Sequence, residues 1–165
     1  MIFGMTILTF VHVLLSLIGI LAGVIVMLGF LTGKQLHGWT ALFIWTTVAT
    51  SVTGFLFPFH KFLPSHAVGI LSLVVLAVAI YALYGKHLSG GWRRAYAVNA
   101  MIALYLNVFV LVAQLFMKVP ALKALAPTQT EAPFQEAQLV VLVAFVVLTI
   151  LAAIRFRGEP ANYPA

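Results

Sequence analysis

The chain has 165 residues, of which 64% are hydrophobic and 7% are charged, and it contains no cysteine. Soluble domains carry about 25% charged residues, so the composition excludes an ordinary soluble protein, and the lack of cysteine excludes disulfides, thiolate metal sites and cysteine nucleophiles. The net charge of +6 would suit nucleic acid in a soluble protein. Here the basic residues stand at the ends of apolar runs, where orientation signals lie, so we expect membrane lipid and no nucleic acid as a partner.

Five apolar runs are long enough to cross a bilayer as helices, which takes about 20 residues each. In chain order they cover approximately residues 6–31, 38–57, 66–84, 95–117 and 137–154. Strands of a membrane barrel are only about ten residues long and do not fit such runs. The sequence therefore predicts an all-α fold, a single transmembrane domain over residues 1–165 with five spanning helices. The first run is predicted to be a retained span, because it far exceeds the core of a signal peptide.

Lysine and arginine are distributed unequally between the two sets of run ends. One set carries six of them, namely Lys34, Lys86, Arg93, Arg94, Arg155 and Arg157, and the other carries Lys61, Lys118 and Lys123. By the positive-inside rule, we expect the first set in the cytoplasm, the N-terminus outside and the C-terminus inside. The proline-rich turn at residues 55–66 is then expected on the outer face.

Small and polar side chains gather on one face of the first and fourth runs at 100° per residue. In the first run they are His12, Ser16, Gly19 and Gly23, and small residues at this spacing let helix backbones approach closely. In the fourth run they are Tyr96, Asn99, Ala103, Asn107 and Gln114. Because an unpaired amide is costly in hydrocarbon, this face is predicted to point inward. It either hydrogen-bonds to neighbouring helices or lines a cavity for a cofactor or small molecule.

The second run divides into two halves. One half is predicted to face the bundle and contains Thr46, Thr47, Thr50, Ser51, Thr53 and Gly54. The other half is predicted to face lipid and contains Ile44, Val48, Val52, Phe55 and Leu56. The fifth run is almost purely aliphatic and is predicted to be peripheral. An aromatic belt at the cytoplasmic interface is predicted from Trp39, Tyr84, Trp92 and Tyr96.

The histidines are the main candidates for chemistry. Counting along the spans places His12, His60 and His66 at a similar depth near the outer end. Imidazole ligates zinc, copper and iron, and three histidines with an open position form a known zinc arrangement. These three are therefore candidate metal ligands, and Glu131 or Glu136 could add a carboxylate. A histidine in the interfacial zone also needs no ligand, which remains the alternative for each of them.

A haem site is the other possibility for the same end. His12 and His66 both lie on helices and could ligate a b-type haem iron from opposite sides. Asn99 and Asn107 are candidate cofactor-binding residues, since they belong to the polar face of the fourth run. A second haem between His37 and His87 would lie at the cytoplasmic ends of the second and third runs.

Three segments, residues 37–43 (HGWTALF), 53–58 (TGFLFP) and 64–69 (PSHAVG), resemble a family of small, uncharacterised multi-pass bacterial membrane proteins. A histidine that opens the second run and another that opens the third are also similar to small membrane proteins that handle haem or copper near respiratory oxidases. The resemblance implies a bacterial inner membrane and carries over no activity and no site residues.

Three functions follow as hypotheses. The first is a membrane protein that binds haem or a copper or zinc ion near the periplasmic face, in electron transfer or cofactor handling. The second is a non-catalytic accessory subunit that binds partner helices or lipid, in a homo-oligomer or larger membrane complex. The third is a small-molecule channel or transporter. The sequence lacks a P-loop, a dinucleotide-binding glycine motif, a nucleophile elbow and a zinc-protease motif, so a stand-alone enzyme is not favoured.

Overall fold

The structure, a computed structural model, describes residues 6–57 and 64–158, and this part of the chain contains helices and no strands. The helices are α1 (Ile7–Leu31), α2 (His37–Gly54), α3 (Pro64–Ile80), α4 (Trp92–Lys118), α5 (Pro120–Leu125) and α6 (Ala132–Arg155), and α3 continues into a π-helical turn, Tyr81–Gly85. The predicted all-α class is confirmed. The centre of the predicted turn, with His60, lies outside the described residues.

Four of the described helical segments are long and apolar enough to cross a membrane, which is the pattern of a multi-pass membrane protein. They are Ile7–Leu31, Pro64–Gly85, Trp92–Lys118 and Ala132–Arg155. α2 is not among them, because five threonines, a serine and a histidine lower the hydropathy of its 18 residues. The predicted bounds differ most at α2, which ends earlier, and at α6, which begins earlier, with a proline in its first turn where the missing N–H costs nothing.

α1 to α4 form a bundle in which each helix packs against the next and α4 also packs against α1. α6 lies outside this bundle, against α4 and α1. Only 6% of its most apolar window is buried, so the predicted peripheral position of the fifth run is confirmed. The polar and small faces of the other helices point at one another, as their patterns predict.

Two glycines on the predicted inner face of α1 allow α1 to approach its neighbours closely. A Cβ added to Gly19 would lie 3.1 Å from Thr46 Oγ1 on α2. A Cβ added to Gly23 would lie 2.6 Å from Leu104 Cδ1 and 2.9 Å from Phe43 Cδ2. These distances leave no room for a side chain, so the inward orientation predicted for this face of α1 is confirmed.

Three predictions about single side chains are wrong. Phe55 was expected at lipid, but its ring packs on His66 of α3 and lies over Gly69. Ile44 was expected at lipid but is fully buried. Because α2 contacts α1, α3 and α4, its buried face includes apolar residues as well as the polar ones. Tyr96 was expected both on the inward face of the fourth run and in an interfacial belt. It is fully buried, which confirms the inward face and contradicts the belt. Its hydroxyl donates to Thr40 Oγ1 over 3.4 Å, and its ring meets Phe30 edge-on at 5.4 Å between centroids. Trp39 and Tyr84 remain exposed, as a belt requires.

The start of α6 carries a carboxylate that several donors stabilise. Glu131 accepts a hydrogen bond from Thr128 Oγ1 at 2.7 Å and from the backbone N–H groups of Thr128 and Thr130. The Thr128 hydroxyl is the main reason why the pKa of Glu131 lies below its usual value, and these backbone N–H groups add to the effect. A carboxyl group with a pKa lowered by folding stabilises this turn above its unfolded pKa. That contribution is lost as the pH falls through the folded pKa.

We therefore expect the exchange protection factors of the Thr128 and Thr130 amides to fall as the pH is lowered through the folded pKa of Glu131. In Glu131→Gln the protection should already be low at neutral pH and should no longer depend on pH. Glu136→Gln, one turn further along α6, is the matched control and should behave as the wild type. Hydrogen exchange measured by NMR or mass spectrometry checks this, and pH-independent protection in the wild type would contradict it.

Candidate functional site

The two ends of the bundle differ in charge. The basic end, where α1 and α6 finish and α4 begins, carries Lys34, Lys86, Arg93, Arg94, Arg155 and Arg157. The opposite end, called the open end here, is where α1 and α3 begin and α2 and α4 finish. A cleft of about 620 Å³ lies there between α1, α2, α3 and α4. Pockets of about 300–1,000 Å³ accommodate cofactors and other small molecules.

The cleft penetrates deeply into the bundle. Along α4 it is lined from Lys118 to Asn107, a span of about 16 Å at 1.5 Å per residue. That is roughly half of a hydrocarbon layer about 30 Å thick. Most of the lining surface is apolar, and the polar or charged residues that line it are Thr9, His12, Ser16, Thr50, Ser51, Ser65, His66, Ser72, Asn107, Gln114 and Lys118.

The His12 ring is bonded to α2 through Nδ1. Its Nδ1 lies 2.9 Å from Thr53 Oγ1. The single hydroxyl hydrogen of Thr53 is directed at backbone carbonyls of its own helix, 2.7 Å from Ala49 O and 3.1 Å from Thr50 O. With its hydrogen used there, Thr53 Oγ1 can accept from His12 Nδ1–H, and in that tautomer the lone pair of the ring is on Nε2. Metal-ligating histidines have this arrangement, with one N–H held by the protein and the other nitrogen ligating.

Two further contacts restrict the His12 ring. The edge of the ring meets Phe57 at 5.2 Å between centroids, with an interplanar angle of 89°. Gly54 also lies beside the ring, where an added Cβ would be in ordinary contact at 3.6 Å from His12 Cε1. The imidazole is therefore positioned before any ligand arrives, which lowers the cost of binding.

His66 lies in the first turn of α3 and also lines the cleft. Its side chain is buried, at 6% exposure, and its ring stacks at a tilt on Phe55, 5.9 Å between centroids. Phe55 in turn covers Gly69, where an added Cβ would lie 3.1 Å from the Phe55 ring. His12 and His66 therefore come from different helices to the same cleft.

The floor of the cleft is a polar layer that joins three helices. Ser51 Oγ on α2 donates to Thr47 O at 2.9 Å and lies 3.1 Å from Ser72 Oγ on α3. Asn107 Nδ2 on α4 donates to Thr47 Oγ1 over 3.4 Å. Asn107 thus does what both sequence-based alternatives proposed, since it bonds to a neighbouring helix and lines a cavity.

Other predicted site residues lie elsewhere. Asn99 is not among the residues that line the cleft, and its side chain donates to Ala95 O of its own helix at 2.8 Å. Among the described residues, no group of three or more His, Cys, Asp or Glu side chains is placed to hold a metal ion. The predicted three-histidine site requires His60, which lies outside the described residues. His37 and His87 are exposed near the basic end, away from the cleft lining.

The prediction from sequence named His66 but missed two serines of α3 and the lysine at the end of α4. Ser65 and Ser72 line the cleft beside His66, and Lys118 lies at its mouth. The serines were detectable, because Ser65, Gly69 and Ser72 follow the i, i+4, i+7 spacing of one helix face. The role of Thr53 had no such signal, because only the packing of α1 on α2 brings it to His12.

Comparisons of the chain with protein-family models, with curated proteins and with solved structures found no match. The interpretation of the cleft therefore rests on its chemistry. Two imidazoles suit haem iron, copper or zinc, and the apolar walls suit a bulky apolar ligand body better than a bare ion. A transition-metal complex with a large organic framework matches both properties.

Proposed function

We propose that this protein binds a b-type haem in the cleft and acts in electron transfer or cofactor handling at the periplasmic face of a bacterial inner membrane. The observation that carries the proposal is the bond from His12 Nδ1 to Thr53 Oγ1. It leaves Nε2 as the ligating atom of a preoriented imidazole, in a cleft that His66 also lines. Haem would supply one-electron redox chemistry when bound, and the apolar walls would keep water from it.

The proposal includes five spanning helices with the N-terminus outside. α2 would be the additional span beside the four long apolar helices. Its 18 residues extend about 27 Å, close to the thickness of a hydrocarbon layer of about 30 Å. Its polar side chains bond within α2 or to neighbouring helices, so they do not prevent insertion. The cationic residues of the basic end support a cytoplasmic location for that end.

The orientation can be tested directly, because the chain has no cysteine and each introduced cysteine is unique. Ala124→Cys on α5 and Ser89→Cys before α4 are both exposed, uncharged positions at opposite ends. In intact cells whose outer membrane is permeable, an impermeant maleimide should label Ala124→Cys. Ser89→Cys should be labelled only after the inner membrane is opened. The reverse labelling pattern would overturn the proposed orientation.

The haem proposal is tested by the absorption spectrum and metal content of the protein purified in detergent. We expect one equivalent of iron protoporphyrin, either co-purified or added back, with a Soret band shifted by histidine ligation. If the purified protein instead contains stoichiometric copper or zinc and no porphyrin, the ligand of the cleft is a metal ion and not haem. A colourless protein that holds no stoichiometric metal and takes up no porphyrin would overturn the proposal.

A second candidate function is an accessory subunit, and the exposed face of α6 favours it. Most apolar side chains of α6 are exposed in the described structure, so this helix has room for lipid or for a helix of a larger complex. Under this alternative, replacing His12 and His66 together by alanine leaves the function of the complex intact. Changes on the exposed face of α6, such as Val143→Trp, would instead disturb its assembly.

A further inference from the structure

The mouth of the cleft carries a charge that the rest of its lining does not balance. Lys118 is the only lysine or arginine among the residues that line the cleft, and no acidic residue is among them in the described part of the chain. Its position in the last turn of α4 is favourable for a cation beside the helix dipole. That explains a basic residue near this point of the chain, but it does not explain why the residue borders the cleft.

The cleft combines a cation at its mouth with a mostly apolar lining surface. Gln114 and Lys118 are four residues apart, so they lie on one face of α4, with the charge outermost. Below them most of the wall surface is apolar, from residues such as Val110 and Leu111 of α4 and Leu17 of α1. The imidazoles of His12 and His66 and the hydroxyls of Ser16 and Thr50 interrupt it. The hydroxyl and amide groups of Ser51, Ser72 and Asn107 form the floor.

This combination selects among ligands. A bare metal cation gains nothing from an ammonium group at the entrance, because like charges repel. A neutral apolar molecule would leave Lys118 unused. A ligand with an apolar body and an anionic end matches both the walls and the mouth, and its charge would bond to the ammonium group as a charge-assisted pair.

We infer that the ligand is a porphyrin held by its free carboxylates at Lys118, with the apolar macrocycle between α1 and α4. The inference rests on the proposed function, since it identifies the ligand of the same cleft. It assigns Lys118 as the residue that distinguishes a porphyrin diacid from its neutral analogues. His12 contributes iron ligation, which is a separate interaction and can be measured separately.

The test uses two metal-free probes, protoporphyrin IX and its dimethyl ester, with the full chain in nanodiscs of zwitterionic lipid. Porphyrin fluorescence reports binding without any contribution from iron. The wild type should bind the diacid about tenfold or more tightly than the diester, as expected for a hydrogen bond to a charged group. Lys118→Met, which keeps the side-chain length, should lose this preference. Lys123→Met on α5, outside the cleft lining, should keep it.

Equal affinity of the wild type for diacid and diester, or an unchanged preference in Lys118→Met, would overturn the inference. The iron complex separates this result from the proposed function. A His12-dependent Soret shift without a diacid preference contradicts the role of Lys118 and supports haem ligation. A Lys118-dependent diacid preference without any His12-dependent shift supports the role of Lys118 at the mouth and overturns haem ligation. Lack of binding by every porphyrin sinks both.

Discussion

The variant His12→Ala is expected to bind iron protoporphyrin with an affinity more than about 100-fold lower than that of the wild type. Loss of a group that merely orients a metal ligand costs about 10–100-fold in affinity, and loss of the ligand itself should cost more. The change removes Nε2, the nitrogen that the bond from Nδ1 to Thr53 Oγ1 leaves for ligation. Titration of the Soret band of the purified protein gives the affinity and reports the change in axial ligation.

A second variant separates ligation from simple loss of packing. Thr53→Val keeps nearly the same volume but removes the acceptor of His12 Nδ1–H, so the orientation of the ring is no longer defined. We expect affinity to fall about tenfold, together with a broadened or shifted Soret band. Thr46→Val on the same helix is the matched control. The hydroxyl of Thr46 bonds only to Leu42 O and Phe43 O of its own helix and should leave binding unchanged.

His37→Ala provides the control for loss of a histidine, since His37 is exposed at the start of α2 and does not line the cleft. It should bind iron protoporphyrin as the wild type does. Wild-type affinity and an unchanged spectrum in His12→Ala would contradict ligation by His12. If the variants unfold at the same temperature as the wild type, a loss of affinity for iron protoporphyrin is due to the site and not to a destabilised fold.

Leucine in place of Gly23 is expected to destabilise the bundle by about 3 kcal/mol or more, the upper end of the range for overpacked cores. The first added carbon already lies 2.6 Å from Leu104 Cδ1 and 2.9 Å from Phe43 Cδ2. Both neighbours are only 1% exposed, so neither can turn away without displacing other core side chains. α1 must therefore move away from α2 and α4, and their contacts are lost together.

Gly38→Leu is the matched control, because a Cβ at Gly38 meets nothing within 4 Å. Both substitutions replace a helical glycine, and the gain in helix propensity, at most about 1 kcal/mol, is smaller than the destabilisation expected at Gly23. Reversible unfolding in mixed micelles, followed by circular dichroism, gives the two free energies of unfolding. Equal values for the two variants would show that α1 is not packed through Gly23.

Helix positions were predictable within a few residues, and helix neighbours were predictable only in part. The inward faces of α1 and α4 followed from their small and polar residues, because those side chains avoid hydrocarbon. Ile44 was misassigned because an apolar side chain is equally stable against lipid and against another helix, so its sequence pattern contains no information about which it contacts. Tyr96 was placed correctly on the inward face of α4 but wrongly in the belt, since a tyrosine ring suits an interface as well and its hydroxyl has a buried partner in Thr40.

The sequence by itself determined the helical class and the approximate bounds of the long helices. Hydrocarbon offers no partners to backbone N–H and C=O groups, so long apolar runs must satisfy them internally as helices. Only the tertiary structure decided that His12 and His66 share one cleft, that His12 Nδ1 bonds to Thr53, and that Lys118 borders the mouth. Those relations depend on how helices far apart in sequence are rotated and placed against each other. That arrangement follows from packing at Gly19 and Gly23, which no single helical pattern specifies.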